Sequence, residues 1–201
     1  MNGTPPIVVG ITGASGAPYA VRLLQALTAA HRRVSLIVSK YGMRLLATEA
    51  GIESMDALRD AVGIDAWASY VEVFSNDDRG AAPASGSSRT AGMIVCPCSM
   101  GTLSAIAAGA SRSLIERAAD VTLKEQRKLV LVPRETPLSA IHLGNMLRLA
   151  RAGAVVMPAA PGFYHQPKEI SQLIDFMVAR MLDQLGIEQT LVTRWKGEAQ
   201  K

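Results

Sequence analysis

Apolar residues recur along this chain in two alternating patterns: short β-branched runs, and longer segments with apolar positions every three or four residues. The first run, Ile7-Val8-Val9-Gly10-Ile11, is continuous, which predicts a strand buried on both faces. Ala20, Leu23, Leu24 and Leu27 then recur at helical spacing and predict a helix from Pro18 to His31. Pro18 suits its first turn, where a missing N–H costs nothing. Val34 to Val38 is the second strand. Tyr41–Ala50 and Ser54–Val62 read as helices, and Tyr70–Phe74 as a strand with one polar face. Further strands are predicted at Gly92–Cys96, Leu129–Pro133 and Ala154–Pro158. Helices are predicted at Leu103–Ala108, Ser113–Ala119, around Ile141 to Ala150 with a stop near Gly153, and at Lys168–Leu185. Strands alternating with helices argue an α/β fold of three layers, a mostly parallel sheet covered on both faces.

In such sheets ligands bind beyond the carboxyl ends of the strands, where strand order switches. The unusual residues of this chain fall there: Ser15, Ser39, the Ser75–Thr90 stretch, Ser99 to Thr102, Arg134-Glu135 and Gly162-Phe163-Tyr164. One composite site is the simplest reading. The loop Thr12–Ala17, small and glycine-rich between a strand and a helix start, offers bare N–H groups to an anion. A dinucleotide is disfavoured, because Gly10, Gly13 and Gly16 have the wrong spacing and Ser39-Lys40 stands where a ribose-binding acid is wanted. Ser75–Thr90 lacks periodicity, and a connection that long in a compact domain is functional or disordered. Arg134 directly follows a strand, where its fork of donors suits a phosphate, and Glu135 beside it can hand a proton to a leaving phosphate.

Composition narrows the chemistry. The 201 residues, 49% hydrophobic, suffice for a single domain over 1–201 with an aliphatic core, since only 4% are aromatic. The net charge of +4 is dispersed, which suits small anions and makes a nucleic-acid groove a weak reading. Cys96 and Cys98 flank Pro97 too closely for a structural bridge and are too few for a zinc site, so they read as buried strand-end residues. No cluster has metal-ligand spacing. No apolar run approaches bilayer length and no leader pattern opens the chain, so a reducing, cytoplasmic setting away from membranes is expected. A nucleophile elbow and a phosphate-gripping G-x-x-x-x-G-K-[ST] loop are both absent. Of the three histidines, His31 ends a helix, His142 lies inside one, and only His165 falls near the expected site, with a structural role.

Six blocks together carry a resemblance: T-G-A-S-G-A at Thr12–Ala17, P-A-S-G-S at Pro83–Ser87, C-P-C-S at Cys96–Ser99, L-I-E-R-A-A-D at Leu114–Asp120, L-V-P-R-E at Leu131–Glu135 and P-A-A-P-G-F-Y-H at Pro158–His165. In these blocks the chain resembles the flavin prenyltransferases, which make prenylated FMN for decarboxylases, and the resemblance runs from about Ile7 to Trp195. The resemblance implies a flavodoxin-like, Rossmann-related fold, a homo-oligomer (a dodecamer) with sites shared between subunits, and a reaction without metal. It implies that dimethylallyl phosphate alkylates N5 and C6 of reduced FMN, which is a substrate here, for use by a partner decarboxylase. Carried over, Gly13, Ala14, Ser15, Ser39, Ser99, Met100, Gly101, Thr102 and Arg134 would contact FMN. Lys124, Tyr164 and Arg180 would hold the prenyl phosphate, with Ser85 and Arg117 nearby and Trp195 closing the pocket. Glu135 would protonate the departing phosphate, and Ser15 and Glu49 would move protons at the flavin. The tail, about 187–201, would pack on a neighbouring subunit or close the site.

One departure stands out. Arg79 occupies the position where the family commonly has a pocket tryptophan, so part of the aromatic wall is missing or displaced. Two other functions compete. An FMN-dependent cysteine decarboxylase of the same superfamily would want a histidine on the helix after the opening loop and a P-x-M-N-type clamp, and neither is present. A non-catalytic FMN-binding subunit would have no need of Lys124, Glu135, Tyr164 and Arg180 together.

Overall fold

In the computed structural model, which describes residues 4–193, strands and helices alternate as the hydrophobic pattern predicts. Strand β1 (Ile7–Ile11) is followed by α1 (Ala17–Ala29), β2 (Val34–Val38), α2 (Lys40–Ala50), α3 (Met55–Val62), α4 (Ile64–Tyr70) and β3 (Val71–Ser75). The second half runs β4 (Gly92–Cys98), α5 (Met100–Ala107), α6 (Leu114–Lys124), β5 (Leu129–Pro133), α7 (Ala140–Arg151), β6 (Val155–Val156) and α8 (Ile170–Gln184). The six strands form one sheet in the order β3-β2-β1-β4-β5-β6, with every pairing parallel.

The continuous apolar runs explain this arrangement. Successive strand residues point to opposite faces, so a strand apolar at every position needs a cover on both sides. Ile7, Val9 and Ile11 of β1 pack on one face against Leu23, Leu24 and Leu27 of α1 and Met177, Val178 and Met181 of α8. Val8 faces the other layer, where Leu103 and Ile106 of α5, Ile115 and Ala118 of α6 and Leu149 of α7 gather. Each such fully buried side chain contributes about 1.5–3 kcal/mol. The chain winds outward from β1 through β2 to β3, then returns to the opposite side of β1 with β4. The strand order therefore switches between β1 and β4, and a crevice opens beyond their carboxyl ends.

Several expectations need correction. Helix α4 had no counterpart in the pattern, because none of its residues is buried and no apolar stripe marks it. Strand β4 continues through Pro97 to Cys98, two residues past the predicted end, with a register shift against β5 after Val95. Helix α5 starts at Met100 directly after its Ser99 cap, so Met100, Gly101 and Thr102 form its first turn. Helix α6 runs to Lys124, and the last strand shrinks to Val155–Val156 at the sheet edge. The Ser75–Thr90 stretch contains a single 3-10 turn, Ala82–Ala84, that buries Pro83 and Ala84. Beyond α8, Ile187 is buried and Leu191 packs on the α1–α8 core. Trp195 lies outside the described residues.

Candidate functional site at the β1–β4 switch point

Thr12 joins the two strand ends. Its hydroxyl donates to the Pro97 carbonyl at 2.9 Å and accepts from the Ser99 N–H at 2.8 Å, while its own N–H reaches Pro97 at 3.2 Å. At 2% exposure, this buried polar residue is satisfied on every side. Ser39 is tied to the same corner, its N–H donating to the Ile11 carbonyl at 2.9 Å and its hydroxyl capping α2 at Gly42. Gly13 must lack a side chain, because a Cβ there would stand 2.5 Å from the Cβ of Tyr41. Gly13 to Ser15, Ser39 and Ser99 to Thr102 thus converge, as the sequence predicts.

Besides α2, helices α1 and α5 begin at this crevice, and their N-termini are used differently. At α1 the N–H groups of Gly16 and Ala17 donate to Glu49 Oε2 at 2.8 and 2.9 Å. The anion that the opening loop invites is therefore the chain's own carboxylate. Burial pushes the Glu49 carboxyl up, but bonds from Gly16, Ala17 and the Ser15 hydroxyl and the charge of Arg134 together hold it below its ordinary value. Glu49, Ser15 and Arg134 thereby form one group, an ionised acceptor beside the loop. At α5 the Ser99 hydroxyl takes the Thr102 N–H at 3.2 Å, and the N–H groups of Met100 and Gly101 have no partner among the described residues. A Cβ on Gly101 would meet nothing nearer than Ser99 Oγ at 4.0 Å, so this helix start is open to a ligand oxygen. Met100 offers only its backbone, since its side chain is in the core.

Arg134 and Glu135 leave the end of β5 exposed, as predicted. Glu135 accepts only the adjacent Thr136 N–H, at 3.2 Å, among the described residues. The remaining cations each carry a carboxylate: Arg117 pairs with Asp120 at 2.7 Å, Lys124 with Glu125 at 2.6 Å and Arg180 with Asp183 at 3.2 Å. Ser85 bonds Ser87, and Gly86 lies against Lys124. Tyr164 and Arg180 share a cavity of about 310 Å³ with Phe176 and Asp183. Arg117 and Lys124 ride on α6 and Arg180 on α8, helices on opposite faces of the sheet. One chain therefore splits the predicted prenyl-phosphate cations into two groups. A larger cavity of about 650 Å³ between α1 and the segment after α8, lined by Arg22, Gln25 and Leu191, contains none of these residues.

Both cysteines are fully buried, and burial pushes the Cys98 thiol up to about 12 and the Cys96 thiol higher still. Neither is a thiolate nucleophile at neutral pH. His165 stacks on Phe176 with ring centroids 5.1 Å apart and planes 4° apart, and Tyr164 meets both edge-on. Arg79 is exposed in the turn after β3, and the aromatic side chains that share a cavity with Arg180 are Tyr164 and Phe176. Among the described residues no cluster of three His, Cys, Asp or Glu groups could hold a metal, and no helix is long and apolar enough to cross a membrane. Sequence reasoning gave no role to Thr12 or Arg127. A lone threonine at the end of a β-branched run is a usable signal for the first, and no local signal exists for the second.

Known proteins are similar to this chain in sequence and fold. The model of the flavoprotein family matches residues 1–194. A flavin prenyltransferase UbiX from Pseudomonas aeruginosa is 52% identical over 202 residues, covering 97% of this chain and 96% of that protein. The chain belongs to the flavoprotein family, among its flavin prenyltransferases. Two solved structures superpose closely on this flavoprotein. AnUbiX in complex with FMN and dimethylallyl pyrophosphate has a TM-score of 0.89 at 43% identity, covering 98% of this chain and all of that one. A dodecameric FMN-dependent UbiX-like decarboxylase from Escherichia coli has a TM-score of 0.88 at 44% identity, with 96% and 100% covered.

Proposed function

We propose that this chain transfers the dimethylallyl group of dimethylallyl phosphate to reduced FMN, making prenylated FMN for a recipient decarboxylase. The observation that carries the reading is the β1–β4 junction, where a bare-backbone loop, an ionised Glu49 in the field of Arg134 and the open start of α5 meet. These residues fit a flavin mononucleotide. Gly13 and Ala14 allow close approach, Ser15, Ser39, Ser99 and Thr102 supply hydroxyls, Met100 and Gly101 supply N–H donors, and Arg134 supplies a cation. Reduced FMN, when bound, supplies the nucleophilic ring. Glu49, kept ionised, accepts a proton through Ser15, and Glu135, which has no ion pair among the described residues, gives one to the leaving phosphate oxygen.

Arg117, Lys124 and Ser85 of one protomer and Tyr164 and Arg180 of another hold the prenyl phosphate, with Trp195 closing the site. The opposite placement of α6 and α8 supports that division. Each of the three cations exchanges its carboxylate for phosphate, at little cost because exposed pairs of this kind are worth about 0–1 kcal/mol. Assembly, as a dodecamer, has a surface to use: α7 and the residue run before it expose Leu138, Ile141, Leu143 and Leu147, with Ile141 74% accessible. Two free, buried cysteines fit a cytoplasmic setting.

The test is anaerobic incubation of the purified protein with reduced FMN and dimethylallyl phosphate, with the pyrophosphate in a parallel arm. Mass spectrometry should show FMN carrying one added dimethylallyl unit. Unmodified flavin in both arms overturns the proposal. Glu135→Gln should slow prenylation by about 10²-fold or more, the usual worth of a general acid, with FMN binding retained.

A further inference from the structure

The turn after α6 carries an arginine that the proposed chemistry does not use. Helix α6 ends at Lys124, and Gln126 takes a left-handed φ of 54°. The N–H groups of Gln126 and Arg127 return to the carbonyls of Leu123 and Thr122, both at 2.9 Å. This reversal sends the Arg127 side chain back toward the Ser85–Thr90 segment. Its Nη2 donates to the Gly86 carbonyl at 2.7 Å, and its Nη1 to the Ser88 carbonyl at 2.7 Å and to Thr90 Oγ1 at 3.3 Å. The guanidinium is largely covered, at 19% side-chain exposure. Its hydrogen bonds go to three acceptors of one segment, at both ends of the Gly86–Ser88 bend, and the Glu125 carboxylate lies 4.0 Å from Nη2. Only a planar fork satisfies acceptors so arranged; a lysine would reach one or two of them.

The same turn presents Lys124 to that segment. A Cβ on Gly86 would meet the Glu125 carboxylate first and Lys124 Nζ at 2.8 Å, so the bare glycine lets the backbone lie against the Lys124–Glu125 ion pair, whose carboxylate the phosphate replaces. Ser85 precedes it, with its hydroxyl bonded to Ser87 at 2.9 Å. From this geometry we infer that Arg127 is a positioning residue of the prenyl-phosphate site, holding Ser85 and Gly86 against Lys124 so that a hydroxyl and an ammonium address one phosphate. The inference rests on the roles proposed above for Ser85 and Lys124. Arg127 does not touch the phosphate; it acts through the segment it ties down.

Arg127→Met and Arg127→Lys should be assayed at saturating reduced FMN with varied dimethylallyl phosphate. FMN affinity and hydrogen exchange of the 85–91 amides should be followed alongside. In Arg127→Met, KM for the prenyl phosphate should rise about tenfold, as expected for lost charge-assisted bonds at a binding element. The value of kcat and the FMN affinity should stay near wild type, and the 85–91 amides should exchange faster. Arg127→Lys should fall between wild type and Arg127→Met. An unchanged KM in either variant overturns the inference, as does a fall in kcat and FMN affinity together, which marks a general structural role. If Arg127→Met does not fold, Arg127→Lys decides, with a raised KM supporting the role and a wild-type KM refuting it. Failure of the wild-type protein to prenylate FMN defeats the proposed function itself, and this role with it.

Discussion

Replacing Thr12 by valine keeps the shape of the side chain and removes the hydroxyl that joins β1 to β4. The Pro97 carbonyl loses one of two donors and keeps the Thr12 N–H at 3.2 Å. The Ser99 N–H loses its acceptor at 2.8 Å and is left partly buried without a partner. The lost bond costs about 1 kcal/mol and the orphaned donor about 1–3 kcal/mol, so Thr12→Val should destabilise the fold by about 2–4 kcal/mol. With an unfolding entropy of about 2.1 cal/mol/K per residue, a domain of this size should then melt about 5–10 °C lower. Because Ser99 caps α5, its displacement also misplaces the open N–H groups of Met100 and Gly101. FMN affinity should drop about tenfold, equivalent to about 1.4 kcal/mol. Thermal melts with and without FMN measure both effects, since ligand stabilisation grows with the ratio of free ligand to Kd. Thr12→Ser retains the hydroxyl and should stay close to wild type in FMN affinity. A Thr12→Val protein with the melting temperature and FMN affinity of wild type would refute this account of the crevice.

Two further outcomes are expected. Glu49 has a carboxyl depressed below the ordinary 4.5, so the stability it adds is present above that value and is lost as pH falls through the lower folded value. The melting-temperature gap between wild type and Glu49→Gln should therefore be full at neutral pH and close in the acid range, and a constant gap would show that Glu49 does not serve α1 as a charge. Gly162→Ala would place a Cβ 3.0 Å from one ring carbon of Tyr164, 3.1 Å from another and 3.3 Å from Phe176 Cζ. The exposed Tyr164 ring can yield, so stability should fall by only about 1 kcal/mol, the low end for overpacking, while KM for the prenyl phosphate rises; an unchanged KM would remove Tyr164 from the site.

The layers of this protein were legible because burial on both faces forces a continuous apolar run. Ile7 to Ile11 and Leu129 to Val132 can be satisfied only between two helical layers, and that demand is written locally. The strand-end hydroxyls and glycines were legible for the same reason: Gly13, Ser15, Ser39 and Ser99 interrupt apolar segments at the points where a parallel sheet exposes its carboxyl ends. Helix α4 was not, because a helix that buries nothing has no periodicity to read. The small-residue loop offers N–H groups to an anion, yet only the fold could supply Glu49 from 33 residues away to occupy the start of α1 and leave α5 open. Thr12 and Pro97 meet across 85 residues, and Arg127 and Gly86 across 41. Such bonds depend on where strands and turns converge in space, which spacing along the chain does not encode. The division of the cations was likewise decided by tertiary structure alone. Arg117, Lys124 and Arg180 look equivalent as charges in a sequence, but the sheet passes between α6 and α8 and sets them on opposite faces.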